Sequence, residues 1–221
     1  PLPTPHSLLP NMNSYAKPLG ECTVAIAGLG LMGGSLGLAL RGRVRRVIGI
    51  ARRADTVEQA LAIGAIDDGA AGLSGAADAD LIVLATPVGV ILRQIEQIGA
   101  LAEQGRLCDG VVLTDMGSTK AAICNATARL PASVQPVGGH PMCGKETSGL
   151  DVAESTLYHG APFILCPLER TDPQATRLIA DLAVAVGACP LELDPQRHDR
   201  LAAAISHAPY LASLAVFATA G

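Results

Sequence analysis

Tryptophan is absent from this chain, and only two Phe and three Tyr occur in 221 residues. A core without aromatics must be assembled from Ala, Val, Leu and Ile, with Gly permitting close approach. That composition suits helices packed tightly on a sheet rather than an aromatic-rich sandwich. A basic excess is also missing: the formal net charge is −4. Nothing is available to displace counterions from a phosphate backbone, so nucleic acid is excluded as a partner. Arg41, Arg43, Arg45 and Arg46 cluster, but as a solvated helix-to-strand turn. The six cysteines (22, 108, 124, 143, 166, 189) contain no CxxC pair. Neither a metal site nor a disulfide framework is suggested, and a reducing, cytoplasmic setting fits. No signal peptide is visible, and the proline-rich residues 1–20 read as a flexible leader. Leu201–Gly221 lacks Asp, Glu, Lys and Arg and is about long enough to cross a bilayer. It also holds His207, Pro209 and several Ser and Thr, so it reads as a buried or subunit-packed helix, with no membrane partner expected.

What is present is an alternation of strand and helix signals. Strands are expected at Thr23–Ala27, Val47–Ile50, Leu81–Ala85, Val111–Thr114, Val134–Val137, Phe163–Cys166 and Leu191–Leu193. Helices are expected after the Gly28–Gly33 turn through Leu40, from about Thr56 to Ile63, and over Val90–Leu101 and Ala121–Leu130. Asp172-Pro173 and Asp194-Pro195 each pair an N-cap with proline at the first helical position, and Gly187 closes the first of these helices. The second is a long helix that runs to the end of the chain. The class is α/β, a Rossmann-type, doubly wound, mostly parallel sheet. Three segments follow: a leader (1–20), a dinucleotide-binding domain (21–194), and the first, incomplete helix of a helical domain (195–221).

Gly28-Leu29-Gly30-Leu31-Met32-Gly33 lies between the first strand and the first helix, the context in which GxGxxG carries meaning. Gly28 allows the tight turn, Gly30 lets backbone approach a pyrophosphate, and Gly33 lets helix and strand pack closely. The diphosphate then meets a helix N-terminus, where N–H groups and the dipole favour an anion. A carboxylate about 20 residues past the glycines would hold the ribose hydroxyl of NAD. Here that place is Ala51-Arg52-Arg53, whose guanidiniums would attract the 2′-phosphate of NADP. The alternative is that Arg52 and Arg53 are solvated and Asp55 holds the ribose. The expected cofactor is NADP in preference to NAD.

Chemistry should lie at the carboxyl ends of the strands, where Thr86-Pro87, Asp115–Lys120 and Gly138–Met142 converge. His140, flanked by glycine and proline, is expected to project from a constrained loop as a general acid/base candidate. Ser118, in the neighbouring loop, could hydrogen-bond a hydroxyl or position the imidazole.

The segments Ala27–Leu36, Ala85-Thr86-Pro87, Thr114–Lys120, Gly138–Met142 and Ser206-His207-Ala208-Pro209 resemble, in order and spacing, the prephenate and arogenate dehydrogenases of tyrosine biosynthesis. Five motifs in register from about Thr23 onward make the resemblance specific. It implies an oxidoreductase that decarboxylates a cyclohexadienyl substrate with NAD(P), giving 4-hydroxyphenylpyruvate or tyrosine. It also implies His140 as catalytic histidine, Ser118 as active-site serine and His207 in the substrate pocket, with His198-Asp199 matching a family pair. Tyr210 stands where the family often has a second His, which bears on the substrate's side-chain group. Family chains continue through further helices that supply a substrate-binding arginine and most of a homodimer. His198 and His207 are nine residues apart, on opposite faces of a straight helix. Pro209 can bend it, and the expectation is a pocket role for His207 and a structural one for His198. Leu201, Ile205, Leu211, Leu214, Val216 and Phe217 leave that helix apolar around much of its circumference, as a subunit interface requires.

Two other readings use the same glycines. A dehydrogenase of the β-hydroxyacid type needs a lysine base after the cofactor domain, and Asp172–Gly221 contains no Lys. A non-enzymatic NADP-sensing module would not need Ser118, His140 and His207 together.

Overall fold

The computed structural model describes residues 17–207 and Phe217. Tyr210, Leu211, Leu214 and Val216, the side chain of His207, and residues 1–16 of the expected leader lie outside them.

Six strands interleave with four α-helices, β3 and β4 being joined by a single 3-10 turn (Leu73–Ala76): β1 (Thr23–Ala27), α1 (Leu31–Leu40), β2 (Arg46–Ile50), α2 (Ala54–Ala62), β3 (Asp68–Ala70), β4 (Leu81–Leu84), α3 (Val88–Glu103), β5 (Val111–Asp115), α4 (Ala121–Thr127) and β6 (Val134–Pro141). They are followed by β7 (Pro162–Pro167), α5 (Pro173–Ala185), β8 (Cys189–Glu192) and α6 (Pro195–Ala202). The strands of the described residues form one sheet in the order β3-β2-β1-β4-β5-β6-β7-β8. The first six are parallel, β7 runs antiparallel to β6, and β8 parallels β7. Strand order reverses between β1 and β4, which opens a crevice at their carboxyl ends.

The two faces of the sheet explain the aliphatic composition. Val24 and Ile26 of β1 face a layer containing Leu36 and Leu40 of α1 and Leu178, Ile179 and Leu182 of α5. Ala25 and Ala27 face the opposite layer, with Ile91, Ile95 and Ile98 of α3 and Ile123 of α4. The 91, 95, 98 spacing places one stripe of α3 on the sheet, and each fully buried Ile contributes roughly 1.5–3 kcal/mol. Both Asp-Pro helix starts behave as read: Asp172 accepts from Gln174 N, and Asp194 from Gln196 N and Arg197 N.

Three expectations need correction. β3 was not foreseen, because Asp68-Gly69-Ala70 has no apolar alternation and joins the sheet only through its register with Ile48–Ile50. Gly138–His140 is not a loop: β6 continues to Pro141 because β7 pairs with it, Gly139 opposite Leu165 and His140 opposite Ile164. The terminal helix is not one long α-helix. After Ala202 the backbone widens into a π-helical turn over Ala203–His207, the region where loss of the Pro209 N–H donor was expected to disturb the ladder. Among the described residues no helix is long and apolar enough to cross a membrane.

Candidate active site

The glycine turn is shaped by contacts that only glycine permits. Gly28 has φ +105°, and a Cβ there would lie 2.7 Å from Ala85 O. A Cβ on Gly33 would lie 1.8 Å from Gly28 O, so this residue lets α1 sit directly on the turn. A Cβ on Gly30 would meet nothing within 4 Å. The space before the first turn of α1 is therefore open, and no side chain caps that helix. Steric necessity at 28 and 33 with open space at 30 is what a diphosphate laid against a helix N-terminus requires. Leu29 is buried, while Leu31 and Met32 begin α1 partly exposed beside the same opening. The tether that holds α1 comes from residues 142–161: Tyr158 Oη donates to Met32 O at 2.6 Å, and Glu154 N donates to Ser35 Oγ at 3.0 Å.

Beside the turn lies a cleft of about 620 Å³ lined by Gly28, Arg52, Arg53, Thr86, Pro87 and Arg93. Five of these were singled out from sequence. Arg93, on α3, was not, because its neighbours on that helix gave no reason to set it apart. The two arginines after β2 differ in state. Arg53 forms a two-pronged pair with Asp55, Nε to Oδ1 at 2.9 Å and a second, closer contact from its terminal nitrogen to Oδ2. The hydrogen bonds from Arg53 hold the Asp55 carboxyl below its ordinary value. Arg52 is exposed at the cleft wall and is not part of that pair.

The chemical side of the site is organised around a buried ion pair that sequence reading passed over. Asp115 ends β5, and Lys120 precedes α4. The Lys120 side chain is 0% exposed and that of Asp115 4%. Lys120 Nζ donates to an Asp115 carboxylate oxygen and to Gly139 O at 2.5 Å. Asp115 also accepts from Gly117 N at 2.7 Å and Gly139 N at 3.2 Å. Burial pushes the Asp115 carboxyl above its ordinary value, and Lys120 with the two N–H donors only partly draws it back. The pair joins the loop carrying exposed Ser118 to the strand carrying His140. A legible signal existed: Lys120 is one of three lysines and sits between an apolar strand and an apolar helix.

His140 is partly buried at the carboxyl end of β6. Its Nδ1 lies 2.8 Å from Nε2 of His198, and the two rings meet edge to face at 5.0 Å. The His198 ring, 2% exposed, places Nδ1 2.8 Å from Asp199 Oδ1. Asp199 also accepts from Lys120 N at 2.6 Å and Ala121 N at 3.0 Å. Its burial raises the carboxyl's pKa, but these N–H donors and His198 outweigh that and leave it below the usual value. His198, expected in a structural role, thus lies against the candidate base. Helical phase puts it opposite residue 207 on a straight helix, yet α6 packs on α4, which turns that face toward β6. Nearby Cys143 supplies no thiolate at neutral pH, since burial pushes its thiol up to about 11.

Turn, cleft and histidine share one edge of a doubly wound sheet, so fold and site define a dinucleotide-binding domain of the dehydrogenase class. The sequence profile of the prephenate dehydrogenase nucleotide-binding domain matches residues 36–190. The prephenate dehydrogenase of Bacillus subtilis is 37% identical over 193 residues, 86% of this chain and 51% of that protein. The crystal structure of Synechocystis arogenate dehydrogenase superposes with TM-score 0.81 at 32% identity, covering 89% of this chain and 68% of that one. Prephenate dehydrogenase from Aquifex aeolicus, in complex with hydroxyphenyl propionate and NAD+, gives TM-score 0.82 at 28% identity, with 92% and 70% covered. The chain belongs to the prephenate dehydrogenase family. It spans about half the length of the curated relatives it matches.

Proposed function

We propose that the protein containing this chain is an oxidoreductase catalysing NAD(P)-dependent oxidative decarboxylation of prephenate, arogenate or both, to 4-hydroxyphenylpyruvate or tyrosine. The observation that carries the reading is His140, at the same carboxyl edge of the sheet as the glycine turn and tied by Nδ1 to a second imidazole. The backbone of Gly28–Gly33 would hold the diphosphate, with Thr86 and Pro87 walling the cleft. When bound, the nicotinamide supplies the acceptor for the hydride that leaves ring C4.

The chain's own residues handle the proton. The C4 hydroxyl donates to His140, which accepts its proton as the C4–H bond breaks, and Ser118 orients that hydroxyl from the adjoining loop. C4 becomes a carbonyl carbon, loss of carbon dioxide from C1 returns the bonding electrons to the ring as an aromatic phenolate, and the proton held by His140 returns to its oxygen. His207 and Tyr210 belong to the substrate pocket in this reading. A β-hydroxyacid dehydrogenase is disfavoured by the absence of Lys from the stretch Asp172–Gly221.

NADP is the preferred cofactor, supported by Arg52 and Arg93 on a cleft wall whose described lining holds no carboxylate, while neighbouring Asp55 is occupied by Arg53. The division into a cofactor domain to residue 194 and a helical domain from 195, a homodimer through that helical region and a cytoplasmic location belong to the same proposal. Exposed Leu201 and Ile205 support the interface, and six free cysteines the compartment. The experiment is optical: reduction of NADP and of NAD by the full-length protein, with prephenate and arogenate side by side. Absence of reduction with both substrates would refute the activity; tighter use of NAD would refute only the cofactor preference.

A further inference from the structure

We infer that His198 and Asp199 are positioning residues that set the tautomer of His140, so that its Nε2 carries the lone pair that receives the substrate proton. This rests on the assignment of His140 as the base.

The argument follows the hydrogen-bond donors in order. Asp199 accepts from two backbone N–H groups as well as from His198, and its pKa is depressed, so it is an ionised carboxylate that can only accept. The proton between Asp199 and His198 is therefore on His198 Nδ1. Neutral His198 then presents a lone pair at Nε2, 2.8 Å from His140 Nδ1. That contact needs one proton, and it must come from His140 Nδ1. Neutral His140 is left with its lone pair on Nε2. When Nε2 accepts the substrate proton, the imidazolium keeps its Nδ1–H bond to His198, and the Asp199 charge lies one ring further on. The logic is that of a carboxylate orienting a catalytic imidazole, with a second imidazole inserted between them. A doubly protonated His198 would reverse the His–His bond and put the His140 proton on Nε2, the tautomer that cannot accept.

Asp199 does a second thing with the same carboxylate. By accepting from Lys120 N and Ala121 N it fixes the end of the Ser118 loop. The loop, strand β6 and helix α6 therefore lock together around one carboxyl group, and α6 completes a site whose other parts come from the sheet.

The test uses full-length protein labelled with 15N at histidine, at a pH where the enzyme turns over. Long-range 15N–1H correlation reports which ring nitrogen of His140 is protonated, with H140N assigning the signal. The expected result is protonated Nδ1 and bare Nε2 in the wild type. In H198L the single tautomer should give way to a mixture, and kcat should fall by roughly 10–100-fold, the usual loss for a partner that orients an active group. The KM for cofactor should stay within about twofold, because α6 is remote from the cleft. In H198Q the amide oxygen can accept from His140 Nδ1–H, so this variant should recover much of the loss. A wild-type spectrum with His140 protonated on Nε2, H198L at full kcat, or H198Q no better than H198L would each overturn the inference. The wild-type spectrum needs no activity, and of the variants only H140N, for its assignment. Lack of turnover with either substrate would defeat the proposed function, while the spectrum would still decide the tautomer.

Discussion

Replacing Lys120 by Met is the substitution with the largest expected effect on stability. The ammonium is fully buried, bonded to Asp115 and to Gly139 O, and no water-facing alternative exists for the carboxylate it leaves behind. Removing one partner of a buried pair costs about 3–5 kcal/mol, because the other charge stays desolvated. Asp115 can shed part of that penalty by taking up a proton, which argues for the lower end, about 3 kcal/mol. For a domain of this size each kcal/mol moves Tm by roughly 2–4 °C, so K120M should melt about 6–12 °C lower. The pH dependence has a definite sign. A carboxyl whose folded pKa is raised contributes stability below its unfolded value and loses it as pH rises through the folded one. Without Lys120 the Asp115 pKa rises further, so the deficit of K120M should widen between pH 5 and pH 8. Thermal melts by circular dichroism on full-length wild type, K120M, D115N and the double variant measure this. The double variant should be less destabilised than the two singles summed, by ~1 kcal/mol or more. A K120M melt within about 2 °C of wild type at pH 8 would refute the claim that this pair locks the loop to the strand.

Other expectations concern the chemistry and its surroundings. H140N should lower kcat by roughly 10²–10⁴ with cofactor affinity nearly unchanged, and near-normal steady-state turnover would reassign the base. R52A should narrow the NADP-over-NAD preference by about tenfold or more, as loss of a charged hydrogen bond does, whereas R53A should matter less because Asp55 already holds that guanidinium; titration of both cofactors decides it. Asp199, with a depressed pKa, contributes stability above its unfolded value near ~4 and loses it as pH falls through the folded value, so the Tm gap between wild type and D199N should close in acid. Full-length protein should sediment as a dimer and I205E as a weaker one, since Leu201, Ile205 and Phe217 are exposed; a wild-type monomer at micromolar concentration would contradict the proposed interface.

Local chemistry made much of this chain legible without coordinates. The glycine spacing after an apolar strand is read locally, and the clash that demands Gly33 is with Gly28 O of the same turn, although the one at Gly28 comes from Ala85 and Thr86 at the end of β4. Asp-Pro starts α5 and α6 by capping geometry that involves only the next three residues. Strand-helix alternation dictates parallel pairing, and Arg52 at the end of β2 follows from counting. Tertiary packing decided the rest. His140 lies in a strand only because β7 returns antiparallel beside β6, a pairing that residue patterns do not encode over so long a connection. Asp115 and Lys120 are separated by one short loop, but their burial depends on Gly139 arriving from another strand. His198 is 58 positions from His140 in sequence, and its phase on α6 says which face it occupies, not what that face meets. Helix docking supplies that answer: α6 on α4 brings an imidazole and a carboxylate to a base that the linear motif had placed alone.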